Sequence, residues 1–244
     1  MELYFHNRDT FPEFRRIFYN LGKRPPRRAP PVSCKANSFR SSNNKNFLIF
    51  VRVGGIDLSG SEKRPTGLAF LEGKRCLTAT VFTDDEILEQ CSRRKVSLIA
   101  IDAPLNFPKE GNLRLCDRIL ISRGLRVFPP TFGGMRKLTE RGIRISSLLR
   151  SSGFNVIEVH PRTSGIVIFG TPDREKWLMR LKKAGFKISP SSDHEIDAIL
   201  SALTAYLHLR GFTETVSGDG AIVVPGEASQ RILLQTRCYS RKRQ

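Results

Sequence analysis

The sequence predicts an α/β domain: a mixed β-sheet flanked by helices, with a helical insertion after the fourth strand. Three observations carry this. The apolar runs FLIFVRVGGIDLSG, VSLIAIDAP and FNVIEVHPR each end in polar or turn-forming residues, as buried strands do. A Glu-Gly step separates TGLAFLEG from KRCLTATVF, which reads as a hairpin and therefore as antiparallel pairing. Between the runs lie helical segments such as TDDEILEQCSRR, acidic at its start and basic at its end, which complements the helix dipole.

In chain order, the run from Phe47 forms the first strand, the hairpin supplies the second and third, and TDDEILEQCSRR is a helix. VSLIAIDAP is the fourth strand, stopped by Asp102, Ala103 and Pro104. Residues 105–152 are the insertion, with a helix over LRLCDRILISRG, a loop at VFPPTFGGM and a basic helix over RKLTERGIRISSLLRSSG. FNVIEVHPR returns to the sheet. DREKWLMRLKKAGF is a short helix, and DHEIDAILSALTAYLHLRG is a strong final helix with Gly211 as its stop. GDGAIVVPG adds a turn and a small strand. The domain therefore spans residues 47–226, followed by a basic tail over 227–244.

Residues 1–46 differ in composition. Phe5, Phe11, Phe14, Phe18 and Tyr19 suit a short amphipathic helix, and the proline- and cation-rich stretch after it reads as a flexible basic extension. The extension is either a nucleic-acid-binding arm, an untethered tail or an upstream extension of the reading frame.

The 244 residues are 39% apolar and 26% charged, enough to build a core. Charge is the outlier: 41 Lys and Arg against 23 Asp and Glu give a net +18, which attracts polyanions, nucleic acid first among them. No apolar run approaches the ~20 residues that span a bilayer. MELYFHNRDTFPEF lacks the apolar centre of a secretory signal. Cys34, Cys76, Cys91, Cys116 and Cys238 form no Cys-x-x-Cys pair, so reduced thiols and a cytoplasmic location are expected.

The placement of the acids points to chemistry. Asp57, Asp102 and Glu158 each fall at or near the end of an apolar strand, and Asp197 opens the final helix, with Asp193 and His194 one turn before it. A carboxylate at a buried strand end is costly unless paired or bound to metal. Several together repel one another, and divalent cations resolve the conflict; an all-oxygen donor set favours magnesium or manganese. Taken singly, each acid has an ordinary role: Asp57 and Asp102 as turn caps, Glu158 as a partner of Arg162, Asp197 as a first-turn helix acid. His160 and His194 lack zinc spacing, Ser59 and Ser61 lack a His–Asp pair, and Gly54-Gly55 is no dinucleotide fingerprint.

This order of elements with strand-end acids resembles the ribonuclease H-like fold. The segments Gly55-Ile-Asp-Leu-Ser-Gly60, Ile101-Asp-Ala-Pro104, Arg114-Leu-Cys-Asp-Arg118, Gly133-Gly-Met-Arg136, Ile157-Glu-Val-His-Pro161 and His194-Glu-Ile-Asp-Ala198 are similar to a largely uncharacterised family of predicted nucleases of that fold, found in archaea and bacteria. The resemblance covers about Phe47 to Pro225 and places the family's acidic positions on Asp57, Asp102, Glu158 and Asp197. The His-x-x-Asp-Ala of the last helix also resembles Holliday-junction resolvases. Those pair two helix acids three apart; here the residue three before Asp197 is His194, and Asp193 is four before it.

The implied activity is metal-dependent phosphodiester hydrolysis with two Mg²⁺ or Mn²⁺ ions. Asp57 would bridge them, Asp102, Glu158 and Asp197 would complete the ligands with Asp193 as a further candidate, and His194 would assist proton transfer. In and around the insertion, Arg118, Arg136, Lys137, Arg141 and Arg162 are candidates for phosphate contact, while Phe128 and Phe132 are read as core residues, with base stacking the alternative. Two other classes compete. An actin-like ATPase or sugar kinase shares the Gly-Ile-Asp start but needs two copies of the fold, for which the chain is too short. A non-catalytic nucleic-acid-binding module would bind in a salt-sensitive way without cleaving.

Overall fold

The computed structural model describes residues 51–235, so the extension at 1–46 and the end of the chain lie outside the described residues. The elements are β1 (Arg52–Asp57), β2 (Thr66–Glu72), β3 (Arg75–Val81), α1 (Asp84–Arg94), β4 (Leu98–Asp102), α2 (Leu115–Ser122), α3 (Gly134–Ser151), β5 (Val156–Val159), α4 (Pro161–Phe169), α5 (Arg174–Lys183), α6 (Asp193–Leu209), β6 (Thr213–Ser217), β7 (Ala221–Pro225) and α7 (Ala228–Gln235). The strands form one sheet in the order β3-β2-β1-β4-β5-β7-β6. β1, β2 and β3 are an antiparallel meander, β1, β4, β5 and β7 run parallel, and β6 returns antiparallel at the far edge. A meander leading into parallel strands, with helices on both faces and α2 and α3 inserted after β4, is the ribonuclease H-like arrangement that the resemblance implies.

Strand side chains alternate between faces, and the two cores follow that alternation. Val53, Leu98, Ala100, Val159 and Val223 pack with Trp177 of α5 and with Ile196, Ala202, Leu203 and Leu207 of α6. Ile56, Leu68, Phe70, Ile99 and Ile101 pack with Ile87 and Cys91 of α1 and with Ile145 and Leu149 of α3. α1 begins in a capping box: Thr83 Oγ1 accepts from the Glu86 amide at 3.2 Å, and the Glu86 carboxylate accepts from the Thr83 amide at 2.9 Å. Cys76, Cys91 and Cys116 are free and buried. Among the described residues no helix is long and apolar enough to cross a membrane.

Three elements depart from the sequence reading. PRTSGIVIF is a helix, α4, with Pro161 in its first turn; it is buried on most of its sides, so it shows no 3.6-residue apolar stripe. Thr213–Ser217 is an edge strand with only Val216 buried, too polar to read as a strand. The segment expected as tail begins with helix α7, and Ser229 within it is buried, its hydroxyl donating to the Phe212 carbonyl at 2.7 Å. The domain therefore continues past residue 226.

Candidate active site

Asp57 and Asp102 are the last residues of β1 and β4 and are partners in the parallel register. Counting by twos from Val53 and from Leu98 puts both carboxyls on the face covered by α6. α6 lies unusually close there. A Cβ on Gly55 would come 2.1 Å from the Ala198 carbonyl oxygen and 2.3 Å from the Ala202 nitrogen, and one on Gly67 would come 2.1 Å from the His194 carbonyl oxygen. Glycine at these two strand positions lets the helix backbone rest on the sheet, beside Asp57.

The first turn of α6 is fixed independently. Ser192 caps it, accepting from the Glu195 amide at 3.3 Å. The buried Glu195 carboxylate accepts from the Ser191 amide at 2.8 Å, the Ser191 hydroxyl at 2.9 Å and Thr80 Oγ1 of β3 at 3.0 Å. So held, α6 delivers two side chains to the strand ends. Asp57 Oδ2 accepts from His194 Nδ1 at 2.6 Å. Asp197 receives Arg174 of α5 in a two-pronged contact, Nε to Oδ1 at 2.9 Å and Nη2 to Oδ2 at 2.5 Å.

The electrostatics record the crowding. Burial, together with the charge of Asp197, pushes Asp57 up to about 6 against the relief given by His194. Asp102 is raised well above the usual carboxylate range, first by burial and then by the charges of Asp57, Asp197 and Glu158; its carboxyl is within hydrogen-bonding reach of Asp57.

Glu158 does not join this cluster. It pairs with Ile101, one residue short of Asp102, so it belongs to the opposite face of the sheet. There it is 6% exposed and fully engaged. Arg114 donates Nη1 to Oε2 at 2.8 Å and Nη2 to Oε1 at 2.5 Å, and the Leu105 amide donates to Oε2 at 2.9 Å. Arg114 also binds Asp117, through Nε to Oδ2 at 3.0 Å and Nη2 to Oδ1 at 2.8 Å. The expected partner Arg162 is instead exposed at the start of α4. Asp193 is 75% exposed and outside the cluster, 3.8 Å from Arg174.

The cations of the insertion divide. Arg118, Arg136 and Lys137 are exposed. Arg141 is 2% exposed and faces inward, with Nε to Asp84 Oδ1 at 2.9 Å, Nη1 to the Ser59 carbonyl at 3.0 Å and Nη2 to the Phe82 carbonyl at 2.6 Å. It ties α3 to the loops after β1 and β3, and no phosphate reaches it. Arg174 had no sequence signal: nothing in DREKW marks it, and only the packing of α5 beside α6 brings it to Asp197.

Among the described residues, no group of three or more His, Cys, Asp or Glu side chains could hold a metal ion as they stand. The donor chemistry of Asp57 and Asp102 nonetheless fits a divalent cation: hard oxygens, partly buried, with mutual repulsion that a cation relieves. Asp197, the third oxygen donor on this side, is engaged by Arg174.

No family model and no curated protein matches the chain. Among solved structures it is similar to Thermus thermophilus RuvC, with a TM-score of 0.43 and 19% identity over 66% of this chain and 97% of that one. It is also similar to T. thermophilus RuvC in complex with Holliday junction substrate, with a TM-score of 0.43 and 17% identity over 66% of this chain and 96% of that one.

Proposed function

We propose that the protein is a divalent-metal-dependent nuclease that hydrolyses phosphodiester bonds of nucleic acid. The observation that carries this reading is the Asp57–Asp102 pair, two carboxyls side by side at the end of a parallel strand pair, partly buried and raised, in a chain of net charge +18. Perturbed carboxyls gathered in this way are a mark of sites built for chemistry. Asp57 and Asp102 would hold Mg²⁺ or Mn²⁺, with Asp197 as a third donor in competition with Arg174. A cation there supplies Lewis-acid polarisation of a phosphoryl oxygen and lowers the pKa of water. The two-ion arrangement implied by the sequence would need Asp197 released from Arg174, because Glu158 is committed to Arg114.

His194 is oriented by Asp57 through Nδ1, which leaves Nε2 as the nitrogen that exchanges a proton with the attacking water or the leaving oxygen. Arg118, Arg136, Lys137 and Arg162 offer exposed cations to the phosphate backbone.

One observation favours a second reading, a nucleic-acid-binding module without catalysis: Asp197, Glu158 and Asp57 each have an internal partner, in Arg174, Arg114 and His194. A single experiment separates the two. Single-stranded, duplex, hybrid and branched substrates are incubated with Mg²⁺ or Mn²⁺ and the wild type, Asp57→Asn or Asp102→Asn. Cleavage by the wild type that falls by orders of magnitude in both variants supports the nuclease. Salt-sensitive binding without cleavage, unaltered by either substitution, supports the module.

A further inference from the structure

Phe128 and Phe132 are 68% and 76% exposed, although the sequence reads them as core residues. They lie in the loop between α2 and α3, and that loop is pinned. Val127 packs against the apolar cluster of Cys116, Leu120 and Val216. Pro130 is buried, and its carbonyl accepts from Thr139 Oγ1 at 3.0 Å. Thr131 Oγ1 donates to Asn112 Oδ1 at 2.8 Å. Pro129 and Pro130 stiffen the backbone between the two rings. The chain thus spends anchoring contacts on a loop that holds two aromatic rings in water, where neither contributes to a core.

The loop's position connects it to the acids. The helix it feeds, α3, lies against the segments that follow them: a Cβ on Gly60 would meet the Leu138 nitrogen at 3.2 Å and the Gly134 carbonyl oxygen at 3.6 Å, and one on Gly142 would meet the Pro104 carbonyl oxygen at 2.7 Å. Gly60 is three residues beyond Asp57, and Pro104 is two beyond Asp102. The surroundings are basic, with Arg126, Arg136 and Lys137 exposed next to the rings in sequence.

We infer that this loop is a base-stacking platform, on which Phe128 and Phe132 take unpaired nucleobases while the adjacent cations hold the phosphates. The occupant is a nucleic acid with unpaired bases, because aromatic rings in a duplex-binding surface would have no exposed base faces to meet. The inference takes the nature of the partner from the nuclease reading and adds the class of substrate.

The test uses the full chain in EDTA, so that cleavage plays no part. The probe is an oligonucleotide carrying 2-aminopurine, whose fluorescence is quenched on stacking, presented either as a single strand or within a flush duplex. The wild type should quench and bind the single strand. Phe128→Leu and Phe132→Leu should each weaken that affinity about tenfold and relieve the quenching, while Phe→Tyr at either position restores both. Duplex affinity should not change, and the melting temperature should stay near the wild-type value because both rings are exposed. Equal losses on duplex and single strand, or no loss on either, would overturn the platform. So would a self-association that Phe128→Leu abolishes with single-strand binding intact. Stacking without cleavage in Mg²⁺ or Mn²⁺ would leave the platform standing and remove the nuclease; cleavage without stacking would do the reverse.

Discussion

Gly55→Ala is the sharpest test of how the candidate site is assembled. The added methyl would sit 2.1 Å from the Ala198 carbonyl oxygen and 2.3 Å from the Ala202 nitrogen, where ordinary contact begins near 3.4 Å. The obstructing atoms are helix backbone, so no side-chain rotation relieves them, and α6 must retreat from β1 by more than an ångström. Overpacking typically costs about 1–3 kcal/mol. The retreat also opens gaps along Val53, Ala69, Ala198 and Ala202, each of which adds a cavity penalty. A loss of about 3 kcal/mol or more follows, which for a domain of this size lowers the melting temperature by roughly 6–12 °C. Gly54→Ala is the internal control. Its methyl would meet Ile99 Cγ1 at 3.5 Å, an ordinary contact, and alanine is better suited than glycine to a strand, so stability should hold or rise slightly. Both variants are measured by thermal and urea unfolding, with cleavage assayed beside them. Equal stability of the two would refute the close seating of α6, and with it the account of how His194 and Asp197 reach Asp57.

Asp57 titrates near 6 in the folded protein against an ordinary 3.8, so the folded state holds this proton more tightly than the unfolded chain does. Its contribution to stability, shared with the neighbouring Asp102 that is raised in the same direction, therefore declines as pH rises from about 4 to about 6. Asp57→Asn should flatten that fall and be more stable than wild type at pH 7, while losing cleavage; urea unfolding across pH 4–8 checks this, and a destabilised variant at pH 7 counts against it. Glu158→Gln should cost about 1.5–3 kcal/mol, because it removes one of the two buried counter-charges of Arg114 and leaves Asp117, yet leave Mn²⁺ affinity intact. Retained stability with lost Mn²⁺ binding, read by the electron spin resonance of free Mn²⁺, would return Glu158 to the ligand set. In Arg174→Ala, Asp197 has no bidentate partner, so Mn²⁺ should raise the melting temperature more than it does in the wild type; equal shifts would argue against competition between Arg174 and metal.

The local elements were largely legible because their signals are local. The Glu72–Arg75 hairpin and the acidic start and basic end of α1 are written within a few residues each. α4 was missed for the opposite reason. Trp177 lies so close to it that a Cβ on Gly165 would come 2.1 Å from the indole, and a helix enclosed by a partner on several sides has no polar face to set its period. The short helix α7 was hidden in a basic tail, since the burial of Ser229 against Phe212 is a tertiary fact.

The acids show where sequence reasoning stops. That Asp57, Asp102 and Glu158 lie at strand ends is visible in the runs that precede them, but whether they meet depends on register, and a one-residue offset sends a side chain to the other face. Asp102 is level with Asp57, so the two share the α6 side; Glu158 is level with Ile101 and turns to the insertion. The same offset sorts the acids by how their charge is met. On the insertion side, Glu158 and Asp117 surround Arg114, and the three close a buried network that joins β5 to α2. On the α6 side, Asp57 and Asp102 face each other, with an exposed histidine bonded to one and an arginine on the neighbouring Asp197. The first arrangement satisfies its own charges and holds the insertion in place. The second keeps two raised carboxyls together at the sheet end, which is where the proposed nuclease would hold its cation.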